Sequence, residues 1–235
     1  LKGVVQAKTE IYKFIKKNKG LVFVNNEDDL LKEEVKNLKS ISYGRSGLVN
    51  GVQSPKGTFI SLSIDNTTVR SQLIGDYHFY NIMLAICVGK HLNISIKDIK
   101  SAIENYTPKN NRSQIIKTKK NTLILDAYNA NPSSMNAMLS SFAKQETKNK
   151  ICILADMQEL GSYSKNEHQK IVDLCVDLKL NCIYIGVFFQ ETNSKTSFED
   201  TEKLKRYLHM NPIKNHTVLL KGSRKMKLEE LVAVL

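Results

Sequence analysis

The sequence has no run of apolar residues long enough to cross a bilayer, which takes about 20 residues. It opens Leu1-Lys2-Gly3, without the basic region and apolar core of a secretory signal, so we expect a cytoplasmic protein with no membrane span. The phosphate-binding pattern G-x-x-x-x-G-K-[ST] is also missing, as are internal repeats. These absences argue against a membrane protein, a secreted protein and a repeat protein.

The four cysteines, at positions 87, 152, 175 and 182, include no C-x-x-C pair. A chain of 235 residues does not need disulfide bonds to build a core, and Cys152 lies inside an apolar run. We therefore expect reduced, buried thiols, as in a cytoplasm. Zinc sites need clustered ligands, and the five histidines are as scattered as the cysteines, so no zinc site is expected.

Acidic residues are outnumbered, with 23 against 35 basic residues and a formal net charge of +12. Such a balance suits anionic partners, among them nucleic acid, nucleotides and acidic lipids. A lysine-rich, solvated surface gives the same composition. Because the lysines are dispersed and no glycine and aromatic signature of a single-strand binder occurs, we expect no nucleic-acid partner. A basic nucleic-acid-binding module remains the alternative from another functional class.

The pattern of the chain changes near residue 112. Before it, helices are predicted over residues 4–17, 28–39, 75–92 and 95–104, and strands over 21–24, 41–43 and 58–64. After it, strands over 122–125, 151–155, 182–186 and 217–220 alternate with helices over 133–143, 166–178, 197–208 and 225–234. This alternation predicts a mainly parallel sheet with helices on both faces. The turn-rich residues 106–111 are the best candidate for a domain boundary.

Three polar segments follow predicted strands of the second half, at residues 126–132, 156–161 and 221–226. Ligands of open α/β sheets bind beyond the carboxyl ends of strands. Asp126 could hold ribose hydroxyls, Asp156 and Glu159 could bind an ammonium group, and the cationic third segment suits a carboxylate or phosphate. The same residue types are common in helix caps, turns and solvated loops, and the residues alone leave these alternatives open.

Together the three segments resemble the Mur ligase family, and within it the MurF type, which adds D-alanyl-D-alanine. The family patterns D-x-Y-N-A-N-P-x-S-M, G-D-M-x-E-L-G and K-G-S-R-x-M look like residues 126–135, 155–161 and 221–226, with alanine for the first glycine of the second pattern. The resemblance implies an α/β fold in two domains. Residues 1–112 would be the tail of a central P-loop-type ATP-binding domain without its loop, and residues 113–235 a Rossmann-like C-terminal domain.

The resemblance also implies an enzyme, an ATP-dependent ligase of peptidoglycan precursor synthesis that serves cell wall biogenesis, cell shape and cell division. Its cofactors would be ATP and Mg²⁺, and its substrates UDP-N-acetylmuramoyl tripeptide and D-alanyl-D-alanine. ATP would phosphorylate the tripeptide carboxylate, and the dipeptide amine would attack the acyl phosphate. The family's N-terminal domain and phosphate-binding loop do not occur in the sequence, so we expect a C-terminal fragment that is inactive alone. We expect a monomer.

Residue roles follow from the same resemblance. Lys8 would be the family's catalytic, carbamylated lysine, whose contacting atoms act as a carboxylate and help to organise Mg²⁺. The nucleotide would be held by Asn81, His78, Arg112, Asp126, Tyr128, Asn129 and Asn131. The dipeptide amine would lie near Asp156 and Glu159, and its carboxylate near Lys221, Ser223 and Arg224.

One segment departs from the family pattern. Residues 75–85 are similar to G-x-H-N-x-x-N-x-x-A, which touches adenine, but Tyr77 and His78 stand where the family has histidine and asparagine. Asn81 keeps the pattern. This departure leaves a further alternative open, a ligase-derived domain that binds without catalysing.

Overall fold

The computed structural model describes residues 2–54, 57 and 59–235. It divides into two compact units. The first unit contains the chain up to Gln72 and residues 76–106, and the second contains Leu73–Gly75 and Thr107–Leu235. None of the described helices is long and apolar enough to span a bilayer.

The first unit combines helices with two small sheets. Its helices are α1 (Lys2–Lys17), α2 (Asp29–Val35), α3 (His78–His91) and α4 (Ile96–Asn105). A parallel sheet contains β1 (Val22–Asn25), β2 (Ser40–Gly44) and β3 (Val49–Asn50). An antiparallel sheet contains β4 (Val52–Gln53), β5 (Ser61–Ile64) and β6 (Thr67–Arg70).

Local hydrogen bonds explain where the elements of this unit begin and end. Asp28 caps α2 by accepting the Leu31 N–H at 3.0 Å, and α2 then ends at Val35, short of the predicted residue 39. The sequence prediction also missed β6. Asp65 and Asn66 have φ angles of 48° and 60°, the left-handed pair that a tight hairpin turn requires, and they fold β6 back onto β5. Of the strand predicted over 58–64, residue 58 lies outside the described residues.

The second unit is built on a six-stranded sheet in the order β11-β10-β9-β12-β8-β7. The strands are β7 (Gln114–Lys117), β8 (Thr122–Asp126), β9 (Lys150–Ala155), β10 (Cys182–Ile185), β11 (Ser197–Phe198) and β12 (Thr217–Lys221). All neighbouring strands run parallel except β7 and β8. Helices α5 (Pro132–Lys144), α6 (Ser164–Asp177), α7 (Val187–Gln190) and α8 (Thr201–Met210) connect the strands. The predicted α/β fold with a mainly parallel sheet is confirmed.

Two helix predictions in this unit are wrong in part. Residues 197–198 form the edge strand β11, and α8 begins only at Thr201, because Asp200 accepts the Lys203 N–H at 2.7 Å as its cap. The predicted closing helix over 225–234 is instead two 3₁₀ helices, Arg224–Met226 and Leu228–Ala233. Lys227, with a φ of 50°, separates them.

The central strands of this sheet carry the core of the second unit. Leu123, Leu125, Ile153, Val218 and Leu220 are almost completely buried in one cluster. Full burial of such a side chain contributes about 1.5–3 kcal/mol. Because β8, β9, β10 and β12 run in one direction, their carboxyl ends share one edge of the sheet, and the three polar segments of the sequence all begin there.

Candidate functional site

The carboxyl ends of β8 and β12 are joined by a buried ion pair. Lys221 and Asp126 are register partners on neighbouring strands, and Lys221 Nζ donates to Asp126 Oδ2 at 2.6 Å. Only 1% of the Lys221 side chain is exposed. The Ser113 backbone N–H donates to Asp126 Oδ1 at 3.1 Å, so both carboxylate oxygens are held. A lysine buried this deeply is tolerable because it is paired.

Next to this ion pair, Tyr128 contacts two arginines. The Arg112 guanidinium carbon lies 3.8 Å from the centre of the Tyr128 ring, and that of Arg224 lies 5.6 Å from it. The Asn111 carbonyl accepts the backbone N–H groups of Ala127 and Tyr128 at 2.9 and 3.1 Å, which fixes the Arg112 loop against the end of β8. The structure thus brings together a predicted dipeptide residue, Arg224, and two predicted nucleotide residues.

The two asparagines of the first polar segment differ in their surroundings. Asn131 caps α5: its side chain accepts the Ser134 N–H at 2.9 Å, and the Ser134 hydroxyl bonds the Asn131 N–H at 3.1 Å. Pro132 follows as the first helical residue, as capping favours. Asn129 is exposed on the turn between β8 and α5. The helix-cap interpretation therefore describes Asn131, whose nucleotide role stays a prediction.

Asp156, at the end of β9, is 2% exposed, and its carboxylate accepts hydrogen bonds from the backbone. It accepts the N–H groups of Phe188 and Phe189 at the start of α7, both at 3.1 Å. Burial raises the pKa of Asp156, and these two hydrogen bonds offset the rise only in part. Gly186 packs so closely that a Cβ there would lie 2.2 Å from the carboxylate. Glu159, by contrast, is exposed on a turn with a φ of 63°.

His168 supports this region and was missed in the sequence. Its Nδ1 lies 2.7 Å from the Ser164 carbonyl, which can only accept, and its Nε2 accepts the Met157 N–H at 3.0 Å. The ring therefore carries its proton on Nδ1. Although Nε2 lies 3.6 Å from Asp156 Oδ1, it has no proton to offer in this arrangement, so the contact is not an ion pair. The spacing of Ser164 and His168 in the sequence does not predict that His168 accepts the Met157 N–H.

An open cavity of about 640 Å³ lies at the carboxyl ends of β9 and β10. Its size is typical of small-molecule sites. Its lining carries both signs of charge beside apolar surface: Asp156, Glu199, Asp200, Glu202, Glu230, Lys225, Lys227, Val187, Phe188 and Met226, together with Gln158, Gly186 and Thr201. Acidic side chains outnumber lysines in this lining, five to two. Nearby in sequence, buried Ser223 Oγ has no hydrogen-bond partner in the described part of the chain.

The first unit holds the remaining predicted residues. Lys8 is exposed on α1. Asn81 and His78 lie one turn apart at the start of α3, with 3.2 Å between Asn81 Nδ2 and His78 Nδ1. The sequence gave no hint of Arg45, which bonds the Tyr80 hydroxyl and lies 4.5 Å from the centre of the Phe79 ring. Arg45 thereby supports the helix that carries Asn81.

Both units match domains of a known protein family. The Mur ligase middle domain matches residues 1–89, and the Mur ligase glutamate ligase domain matches residues 111–224. The chain belongs to the Mur ligase family. The family and the fold predicted from the three polar segments are thus confirmed.

Individual Mur ligases resemble almost the whole chain. It is 28% identical to the UDP-N-acetylmuramoyl-tripeptide–D-alanyl-D-alanine ligase of Bacillus subtilis (strain 168), covering 98% of this chain and 54% of that protein. A crystal structure of MurF from Acinetobacter baumannii superposes with a TM-score of 0.81 at 26% identity, covering 99% of this chain and 55% of that one. MurF from Thermotoga maritima in complex with ADP has the same fold, with a TM-score of 0.75 at 19% identity over 92% of this chain and 52% of that one. The chain therefore spans about half the length of the relatives that it matches.

Proposed function

We propose that this chain supplies nucleotide-binding and dipeptide-binding residues to an ATP-dependent ligase of the MurF type. The ligase joins D-alanyl-D-alanine to UDP-N-acetylmuramoyl tripeptide in peptidoglycan precursor synthesis. The observation that carries the proposal is the shared carboxyl edge of β8, β9 and β12, where all three family-like segments meet. The relatives named for this reaction support the choice of substrates.

The nucleotide part of the site is centred on Asp126. A carboxylate fixed at both oxygens is well placed to accept ribose hydroxyl groups through its remaining lone pairs. Lys221 is then a positioning residue for Asp126, a different role from the dipeptide contact predicted in the sequence. Arg112, Tyr128, Asn129 and Asn131 complete this part of the proposal. From family resemblance alone, we also propose Asn81 and His78 of the first unit as adenine contacts.

The dipeptide part of the site is the cavity beside β9 and β10. Its carboxylates attract the dipeptide ammonium group, although Glu199 and Glu202 among them also pair with Lys203 and Lys205. Lys225 and Lys227 attract the dipeptide carboxylate. The two alanine methyl groups contact the apolar lining. Asp156 contributes by holding the start of α7 in place, and Glu159 and Ser223 remain proposed contacts near the amine and the carboxylate.

The proposed reaction rests on the family resemblance. With the dipeptide held beside the acyl phosphate, its amine nitrogen attacks the acyl carbon, a carbon–nitrogen bond forms, and the carbon–oxygen bond to phosphate breaks. The amine gives up a proton, and inorganic phosphate leaves. Positioning and neutralisation of the phosphate charge are the contributions expected of the protein.

Mg²⁺ is not supported by a ligand set within the described residues. These contain no group of three or more histidine, cysteine, aspartate or glutamate side chains that could hold a metal. Lys8, the proposed carbamylated ligand, is exposed on α1. Mg²⁺ commonly takes one or two protein ligands and completes its shell with water and phosphate oxygens. Lys8 therefore stays a proposal from family resemblance.

Four free cysteines are in line with a reducing cytoplasm, which is where we place the reaction. We propose that the enzyme acts as a monomer.

The direct test expresses the complete open reading frame that contains these residues. The product is assayed with ATP, Mg²⁺, UDP-N-acetylmuramoyl tripeptide and D-alanyl-D-alanine. We expect phosphate release that depends on the dipeptide and a product whose mass shows the added dipeptide. L-alanyl-L-alanine is the matched control and should be a poor substrate. Phosphate release without ligation, or no turnover with any substrate, would favour a binding domain without catalysis.

A further inference from the structure

Two arginines from separate segments of the second unit contact the ring of one tyrosine. The guanidinium carbons of Arg112 and Arg224 lie 3.8 and 5.6 Å from the centre of the Tyr128 ring, so the two groups can be no farther apart than these distances combined. Attraction to the ring stabilises each cation there. Two positive charges beside one ring nevertheless repel each other.

The guanidinium groups of Arg112 and Arg224 have N–H donors that are available to a ligand. Within the described residues, both contact the Tyr128 ring, and neither forms a hydrogen bond or an ion pair. Each guanidinium has five N–H donors, and both side chains are exposed. Two cations on one ring, with no acidic partner among the described residues, are a favourable place for an anion.

Arg112 stands on a loop and Arg224 begins a 3₁₀ helix, and hydrogen bonds fix the backbone of both segments. The Arg112 loop is held on each side, by the Asn111 carbonyl and by the Ser113 N–H that bonds Asp126. In the other segment, the Ser223 N–H donates to the Asp156 carbonyl at 3.3 Å, and the Met226 N–H closes the turn at 3.0 Å. Fixed segments reduce the entropy lost when a ligand binds.

We propose that Arg112 and Arg224 bind one phosphate group together, with Tyr128 as their common support. A carboxylate is satisfied by one bidentate guanidinium, whereas a phosphate group has the charge and the oxygens for two. Arg224 then belongs to the phosphate site and not to the dipeptide carboxylate. The identity of the phosphate carrier, a nucleotide or the acyl phosphate, rests on the proposed function, whereas the pairing of the two arginines does not.

The test titrates the 235-residue chain with inorganic phosphate and follows the side-chain Nε–H signals of both arginines by NMR. Both signals should shift as phosphate is added, and the two shifts should give the same dissociation constant. Arg112→Gln should weaken the phosphate response of Arg224 about tenfold or more, because a charged hydrogen bond is worth about 1.5–3 kcal/mol and each 1.4 kcal/mol is a factor of ten. Arg206→Gln, an exposed arginine on α8, is the matched control and should change nothing.

The ring contribution is tested by two further variants. Tyr128→Phe keeps the ring and should keep the common response, whereas Tyr128→Leu should weaken phosphate binding at both arginines. Unequal dissociation constants, or an unchanged Arg224 response in Arg112→Gln, would overturn the pairing.

A separate titration with D-alanyl-D-alanine distinguishes the two sources of an anion. A shift of Arg224 with the dipeptide but not with phosphate would return Arg224 to the carboxylate. Because these readouts use binding alone, a ligase that failed the turnover assay would leave them unaffected, and the two proposals can fail separately.

Discussion

Lys221 and Asp126 face each other across two parallel strands, and the lysine donates a 2.6 Å hydrogen bond while only 1% of its side chain is exposed. This pair connects the first and third polar segments of the sequence. It also explains why a lysine follows the apolar residues of β12. A charge in this position is stable only with its partner, because the environment offers little water.

Removing the lysine charge should destabilise the second unit. Lys221→Met leaves Asp126 without its ion-pair partner, and breaking a buried pair in this way costs about 3–5 kcal/mol. Lys165→Met, at an exposed position of α6, is the control and should stay within about 0.5 kcal/mol of the wild type. Urea denaturation measures both. Equal stabilities for the two variants would show that the ion pair does not hold the sheet edge.

Alanine substitutions at two separate glycines test the packing around Asp156. Gly186 has a φ of 118°, and a Cβ there would lie 2.2 Å from the Asp156 carboxylate, whereas Gly161 has a φ of 53° and open space around it. Gly161→Ala should therefore cost only the left-handed backbone strain, about 1–2 kcal/mol. Gly186→Ala should cost clearly more, because the carboxylate must also move. Thermal unfolding that ranks the two variants in the opposite order would refute the contact.

The cysteines should react slowly in the folded chain. Cys152, Cys175 and Cys182 lie together, and the pKa of Cys182 is raised by its hydrogen bond with the Cys152 thiol and by burial. Burial also raises the pKa of Cys87. Raising the pH through about 8.5, where a free thiol ionises, should accelerate alkylation of the urea-unfolded chain but not of the native chain. Mass spectrometry after iodoacetamide treatment counts the modified sites. Rapid native modification of Cys182 would contradict the predicted protonation.

The proposal that the cavity beside β9 and β10 binds the dipeptide can be tested kinetically in the complete ligase. Lys225→Gln should raise the KM for D-alanyl-D-alanine about tenfold, the loss expected for one charged contact, and leave the KM for ATP unchanged. Lys148→Gln changes the same residue type at an exposed position outside the cavity and serves as the control. A rise in both KM values for Lys225→Gln would mean that the cavity is not specific for the dipeptide.

Sequence patterns predicted the family, the parallel sheet and the three polar segments, because short apolar strands and the residues after them are local features. They did not predict β7 or the two-residue strand β11, whose short segments lack a clear alternation. The ion pair of Lys221 with Asp126 also escaped prediction, since it depends on β12 inserting between β8 and β9. The contact of His168 with Met157 depends on tertiary packing in the same way.

The most direct test of the proposed nucleotide site is the pair of KM values, for ATP and for D-alanyl-D-alanine, of the ligase carrying Asp126→Ala. If Asp126 contacts the nucleotide as proposed, the KM for ATP should rise at least about tenfold, as expected for loss of a charged hydrogen bond, while the KM for D-alanyl-D-alanine stays unchanged. Asp173→Ala, on the exposed face of α6, is the control and should leave both values as in the wild type. An Asp126→Ala ligase with an unchanged KM for ATP would contradict the nucleotide site at the carboxyl edge of β8 and β12.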